Sequence, residues 1–512
     1  MPINLLSYIS TPVRKSIALV SILWTIHGLV SCQSQKAETK EKEIQQPYNV
    51  LFIAVDDLRT ELNIYGAHHI KSPNIDQLAN SGVRFDNAHV QQAICMASRA
   101  SIMSGIRPER YGIYTGESVK DIMPDVLTMN KFFSKNGYSI ASTGKIYHYA
   151  EDTKEQFGDD FVDAEGIWKG SGYVTQESFE QMKNSEKPGR GPAYESAKVH
   201  DTIYPDGLNT LNAMRKMEEL KDDGKPFFMA VGLMKPHLPF NAPQKYWDMY
   251  PRSSIELTDL TERPKNTSKY TVRPLGELTN YYGMPETFDE VTDSMATTLR
   301  RGYFASVSYI DAQVGNLLRK LKALGLEENT IVVLWGDHGF KLGDYNSWCK
   351  WSNMNIDTNI PLIFKVPNAA KGKVYKQPVE ALDIYPTLAE LCNLEKPGHL
   401  EGKSLVPFLT NSDYEPEAKM YAYSIWPDNR WTYDKTVLGY SVTDERYNYV
   451  EWVKLTSNEV LERELYDHKQ DPEETINVVG DAEYSEIVAE LSQKIQDRRN
   501  ATDHDHDFRN LR

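Results

Sequence analysis

At 512 residues, 40% hydrophobic and 25% charged, the chain has a globular composition without collagenous or disordered bias. Its formal net charge of −15 argues against a nucleic-acid binder and against attachment to an anionic membrane through a bulk field. Four cysteines (Cys32, Cys95, Cys349 and Cys392) are too few and too scattered for a disulfide framework or a zinc ribbon.

The chain opens with Arg14 and Lys15, then an apolar run from Ser16 to Val30 ending in Leu29-Val30-Ser31-Cys32. A basic start, a short apolar core and small residues at a cut site predict a secretory signal over 1–31 rather than a spanning helix. Cysteine directly after Leu-Val-Ser resembles a bacterial lipobox, so Cys32 is expected to carry a lipid anchor, the chain's one attachment to a membrane. Residues 32–47 read as a polar tether, which places the protein outside the cytoplasm, in the periplasm or at the surface of an outer membrane.

Ordered structure is predicted from Tyr48. Asn49 to Val55 is a nearly unbroken apolar run that stops at Asp56-Asp57, as expected of a strand buried on both faces. Phe227 to Gly232, Thr330 to Trp335 and Pro361 to Val366 are runs of the same kind, and the run Thr330 to Trp335 ends in Gly336-Asp337-His338-Gly339. Between them, Ser72 to Ala79 carries a helix start signal. Tyr303 to Leu324 places Val307, Ile310, Val314, Leu317, Leu318 and Leu321 on one helical stripe. Strands alternating with helices predict an α/β domain over 48–410, with a mostly parallel central sheet sandwiched by helices. In such sheets ligands sit beyond the carboxyl ends of strands, so the acidic strand ends should meet at one site. From 411 to 512 a small antiparallel α+β subdomain is predicted, with strands in the Tyr- and Trp-rich stretch Tyr421 to Leu465 and a closing helix over Glu483 to Arg499. Cys349 and Cys392 read as core residues, Asp344 and His69 as surface residues, and the Asp503 to Asp507 tail as a solvated terminus.

Cys95-Met96-Ala97-Ser98-Arg99, followed by Ala100-Ser101 and Ser104-Gly105, resembles the signature of formylglycine-dependent sulfatases, with Ala97 where that signature carries proline. The resemblance extends along the chain in order. Asp56-Asp57-Leu58-Arg59, Ser72-Pro73-Asn74-Ile75-Asp76, Gly144-Lys145-Ile146-Tyr147-His148, Lys235-Pro236-His237-Leu238-Pro239-Phe240, Asp337-His338-Gly339, Lys350, Asp383 to Leu388 and Glu464-Leu465-Tyr466-Asp467 look like the blocks of iduronate 2-sulfatase-type enzymes. It implies the alkaline-phosphatase-like sulfatase fold and hydrolysis of sulfate esters on a carbohydrate, such as ulvan or a glycosaminoglycan, with a 2-O-sulfated uronic acid as one candidate. It also implies a maturation enzyme that oxidises Cys95 to formylglycine in the unfolded chain, and one calcium ion per subunit.

Carried over position by position, the resemblance makes Asp56, Asp57, Cys95, Asp337 and His338 the metal-binding set, with His338 open to either the metal or the sulfate. Carboxylates suit a hard divalent cation. Cys95, Arg99, Lys145, His148, His237 and Lys350 form the catalytic set. Cys95 should open a helix whose N-terminus favours an anion, Lys145 and Lys350 should hold sulfate oxygens, and His148 and His237 should sit on loops where protons move. Two other readings stay open: a phosphatase or phosphonate hydrolase of the same superfamily, and a catalytically silent glycan-binding protein.

Overall fold

A computed structural model describes residues 47–112, 118–164, 172–187, 189–272, 275–416, 418–427 and 436–502. The predicted signal, the Cys32 anchor, the tether up to residue 46 and the 503–507 tail lie outside the described residues.

Fifteen strands are assigned among the described residues, in chain order β1 (Asn49–Val55), β2 (Val83–His89), β3 (Ser139–Gly144), β4 (Phe161–Val162), β5 (Tyr194–Ala197), β6 (Phe227–Leu233), β7 (Phe240–Pro243), β8 (Thr330–Gly336), β9 (Asn359–Lys365), β10 (Lys373–Tyr375), β11 (Val379–Glu380), β12 (Ala422–Pro427), β13 (Val437–Thr443), β14 (Tyr447–Lys454) and β15 (Glu459–Asp467). The main sheet runs β10-β2-β9-β8-β1-β6-β3-β4, with β11 also paired to β2. The centre is parallel: β1 lies between β8 and β6, and β3 follows β6 in the same direction. The run at 361–366, expected within the parallel set, forms β9 and is antiparallel to both of its neighbours, β2 and β8.

Alternation along β1 feeds two cores. Val50, Phe52 and Ala54 pack with Ile102, Phe133 and Leu388, from the helices Cys95–Ser104, Met129–Lys135 and Ile384–Leu391. Leu51, Ile53 and Val55 pack with Ile75, Ala213 and Val314, from the helices Pro73–Asn80, Pro205–Asp223 and Asp293–Ala323. An apolar run without polar alternation is what a strand covered on both faces needs. The stripe predicted from Tyr303 belongs to a longer helix that starts ten residues earlier, at Asp293, where Thr292 caps it by accepting from the Met295 N–H.

The C-terminal sheet, β12-β13-β14-β15, is antiparallel throughout. Leu438, Tyr440, Val442 and Tyr449 on it pack against Leu491 and Ile495 of the closing helix Ser485–Thr502. Its first strand grips the segment leading into Cys95: the Ile425 N–H donates to the Gln91 carbonyl at 2.8 Å, and Ser424 Oγ donates to the Val90 carbonyl at 2.5 Å.

Asp344 is not a surface residue. It is buried, bonded to Arg59 Nη1 at 3.0 Å and accepting from the Leu342 N–H at 2.8 Å. An ion pair and a backbone donor offset the desolvation that would otherwise keep a carboxylate in water. Cys349 and Cys392 are buried, and the His69 side chain is half exposed.

Candidate active site

Four neighbouring strands deliver the site. Register pairs Val55 with Gly336, so β1 and β8 end side by side and place Asp56-Asp57 next to Asp337-His338. On the other flank β6 leads into Lys235 and His237, and β3 leads into Lys145. The β6 contact depends on Gly232, because a Cβ there would stand 2.0 Å from the Lys145 carbonyl oxygen. The loop after β6 is held by Asp206, which accepts from the N–H groups of Met234 at 2.7 Å and Lys235 at 3.0 Å.

All ten residues of the helix Cys95–Ser104 are buried, and its N-cap, Ile94, supplies no side-chain cap. Small residues such as Ala97, Ser98, Ala100 and Ser101 let it lie close to the strand ends. Its first turn therefore faces the site with the positive end of the helix dipole. Ser98 Oγ donates to the Asp337 carbonyl at 2.6 Å, tying the helix to the end of β8.

Arg99, wholly buried, joins three of the strand ends. Its Nε donates to Asp337 Oδ2 at 2.7 Å, Nη2 reaches Asp56 Oδ1 at 3.4 Å, and Nη1 donates to the Ile146 carbonyl at 3.1 Å and also to that of Lys145. Lys145 Nζ bonds Asp56 Oδ2 at 2.5 Å, and Lys350 Nζ bonds Asp57 Oδ1 and Oδ2 at 3.0 and 3.2 Å. His338 Nδ1 lies 2.9 Å from the Gly339 carbonyl, an acceptor only, so that nitrogen carries a hydrogen and Nε2 faces the site. From there Nε2 is 3.2 Å from Cys95 Sγ and 3.3 Å from Asp57 Oδ1. His237 is fixed in the same way: Nδ1 donates to the Leu238 carbonyl at 2.5 Å and Nε2 points inward, 3.9 Å from Asp57 Oδ2.

The electrostatics follow from packing like charges together out of water. Burial and Asp56 push the Asp337 carboxyl up to about 7, against the pull of His338 and Arg99. Burial also raises Asp57. For Asp56, burial and the Cys95 sulfur act upward, but Lys145, His237 and Arg99 outweigh them and hold it well below its ordinary range. Although burial opposes it, Asp337, Cys95 and Asp57 push the His338 imidazole up to about 10. Burial disfavours the Cys95 thiolate, but Lys145, Lys350, His338 and a hydrogen bond from His148 bring the thiol well below its usual value.

Every predicted site residue thus converges on one centre. Asp56, Asp57, Cys95 and His338 present ligand atoms within 4.8 Å of one another, a donor set able to hold a metal ion. Two carboxylate donors among the four suit a hard cation. Asp337 stands at the edge of that set, its oxygens occupied by the Asp57 N–H at 3.0 Å and by Arg99. Asp56, Asp57, Cys95 and His338 are buried, whereas His148 is exposed and the side chains of His237 and Glu277 are 15% and 19% exposed. The way in therefore lies past these three.

Glu277 was not among the predicted residues. Its Oε2 accepts from Lys350 Nζ at 2.7 Å, and its Oε1 is 3.7 Å from His237 Nε2. It follows Leu275 and Gly276, both with positive φ, in the short 3-10 turn Gly276–Asn280. No strand end or motif marks it, and Gly276 was the one local signal.

With this geometry in hand, comparison with known proteins defines the class. The sulfatase family model matches residues 48–394, and the model described as N-sulphoglucosamine sulphohydrolase, C-terminal, matches residues 343–501. The chain belongs to the sulfatase family and is a sulfuric ester hydrolase. It is 30% identical to iduronate 2-sulfatase of Mus musculus, over 90% of this chain and 96% of the relative. It is 27% identical to an ulvan-active sulfatase of Formosa agariphila, over 91% of this chain and 84% of the relative. Among solved structures, the phosphonate monoester hydrolase SpPMH from Silicibacter pomeroyi superposes with a TM-score of 0.72 at 23% identity, covering 90% of this chain and 96% of that one. At that identity the likeness establishes the alkaline-phosphatase-like fold alone.

Proposed function

We propose that the chain hydrolyses sulfate monoesters on a carbohydrate, a poly- or oligosaccharide of the ulvan or glycosaminoglycan type, with a 2-O-sulfated uronic acid as the leading candidate. The observation that carries this reading is Cys95 at the first position of a buried helix, 3.2 Å from His338 and beside a donor set able to hold a metal. The names of the relatives, iduronate 2-sulfatase and ulvan-active sulfatase, support the sugar.

Oxidised to formylglycine and hydrated, position 95 supplies one oxygen nucleophile for sulfur and a second hydroxyl whose deprotonation expels sulfate and regenerates the aldehyde. Calcium, when bound by Asp56, Asp57, Asp337 and His338 around position 95, supplies a Lewis acid at the reacting oxygens. The protein does the rest. Lys145 and Lys350 stand on two sides of position 95 and take up charge on the sulfate oxygens, helped by the first-turn N–H groups of the Cys95 helix. Arg99 holds Asp337 and Asp56 in register rather than touching the outer sulfate oxygens. His237, its Nδ1–H anchored on Leu238, presents Nε2 to the centre and gives a proton to the departing sugar oxygen. His148, bonded to Cys95 from the exposed side, accepts the proton from the second hydroxyl.

The same proposal includes export through the 1–31 signal and a lipid on Cys32. Mass spectrometry of the Cys95 peptide, from protein made with a compatible maturation enzyme, tests the chemistry. An aldehyde at position 95, together with release of inorganic sulfate from a sulfated uronate, is the expected result. A thiol that stays unmodified in its native host would sink it, and so would turnover of phosphate or phosphonate esters in place of sulfate esters.

A further inference from the structure

A second cleft, of about 660 Å³, opens between β5, the turn Gln244–Trp247, the helix Gln176–Lys183 and the start of the helix Asp293–Ala323. None of the catalytic residues lines it. Its volume lies within the range of small-ligand sites, roughly 300–1,000 Å³. Tyr194 and Trp247 meet in its wall with ring centroids 6.1 Å apart at 53°, and Tyr282 stands on its rim, 37% exposed. Arg301 fixes the indole: its guanidinium carbon lies 5.5 Å from the Trp247 ring centre, and it bonds the carbonyls of Trp247 at 2.9 Å and Tyr250 at 2.6 Å. Gln244, Asp248 and Glu177 add exposed amide and carboxylate groups beside these rings.

The exposed ring of Tyr282 and the part-buried ring of Tyr194, with the buried Trp247 behind, stand next to an amide and carboxylates, which matches a pyranose ring with its apolar C–H face and rim of hydroxyl donors. Charge narrows the choice. Asp248 and Glu177 face this cleft on a chain whose net charge is −15, and Arg301, the one cation among the described residues that line it, is committed to backbone carbonyls. A sulfated or carboxylated sugar is repelled there, whereas the catalytic centre gathers Lys145 and Lys350. The two sites are also joined: Glu277 of the catalytic centre and Tyr282 of the rim are five residues apart, so their Cα atoms lie within about 18 Å.

We propose that this cleft is a non-catalytic subsite for an uncharged pyranose unit of the polymer whose sulfated unit enters the catalytic centre, an inference that rests on the carbohydrate reading above. The test is isothermal titration of the full chain carrying Cys95→Ser, which cannot turn over, with desulfated, carboxyl-reduced tetrasaccharides prepared from heparin and from ulvan. Saturable binding to at least one of them is expected. Tyr282→Ala and Gln244→Ala should each weaken it tenfold or more without moving the melting midpoint, because both side chains are exposed. Absence of binding at millimolar probe, or binding indifferent to both substitutions, overturns the inference. Probe binding through Tyr282 in a protein that releases no sulfate upholds the cleft and overturns the catalytic reading. Sulfate release without probe binding does the reverse.

Discussion

Arg99→Ala removes one side chain and strips partners from three strand ends at once. The guanidinium is wholly buried and contacts Asp337, Asp56 and two carbonyl groups. Asp56 keeps Lys145 at 2.5 Å, so the main loss falls on Asp337, whose other carboxylate oxygen retains only the Asp57 N–H and a 3.6 Å approach from His338. Leaving one member of a buried ion pair behind costs about 3–5 kcal/mol. An orphaned buried carbonyl, here that of Ile146, adds about 1–3 kcal/mol, less whatever a water in the vacated space restores. A net destabilisation of about 4 kcal/mol is expected, with Arg99→Lys recovering part of it because the charge remains while the fork is lost. Urea unfolding followed by tryptophan fluorescence reads this on protein with an unmodified Cys95, so that maturation does not enter. Trp335, whose ring centre is 5.8 Å from the Arg99 guanidinium carbon, is a local reporter. An Arg99→Ala protein within about 1 kcal/mol of wild type, the scale of a surface ion pair, would refute a structural clamp at this position.

Calcium at a hundred times its dissociation constant should stabilise the fold by about 2.7 kcal/mol, visible as a melting shift that chelator reverses and that Asp57→Asn abolishes. His89, buried between Asn87 Oδ1 at 2.6 Å and Thr358 Oγ1 at 3.2 Å, is pushed down to about 3 by burial and by His468. The unfolded chain therefore takes up a proton below its ordinary value of 6.5 that the folded chain refuses, and stability should fall by about 1.4 kcal/mol per pH unit between 6.5 and 3. His89→Gln should flatten that acid limb in pH-dependent urea titrations. Gly276→Ala, at φ +57° with its Cβ 2.2 Å from Cys349 Sγ, should displace Glu277, cost at least about 1–2 kcal/mol from backbone strain alone, and lower kcat/KM for a sulfated substrate tenfold or more.

What could be read from the sequence was what a short stretch of chain determines by itself. The runs 49–55, 227–232 and 330–335 are buried on both faces and therefore lack polar alternation, and the acids after the first and third needed only the parallel sheet to meet. The direction of β9 was not legible, because an apolar run looks the same in either orientation and its pairing is fixed by two other strands, one of them, β2, more than 250 residues away. β2 and β3 were missed for a related reason: Val83-Arg84-Phe85-Asp86-Asn87-Ala88-His89 and Ser139 to Gly144 are too polar or too small to stand out. Asp344 read as a surface acid because its partner Arg59 lies far off in the chain. Glu277 enters the site only through a turn at Leu275-Gly276 and through Lys350, neither of which marks a carboxylate.

The grip of β12 on Gln91 and Val90 sets a clock for synthesis. Cys95 is 2% exposed in the finished fold, so an enzyme that must reach its thiol has to act before the surrounding pieces close. The segment leading into it is bonded by Ser424 and Ile425, which the ribosome adds about 330 residues after Cys95. At ordinary elongation rates of about 5–20 residues per second, that interval is roughly 17–66 s. On the maturation proposed above, late arrival of the C-terminal sheet would keep the cysteine within reach of oxidation, and a chain permuted to make that sheet first would hide position 95 before it could be matured.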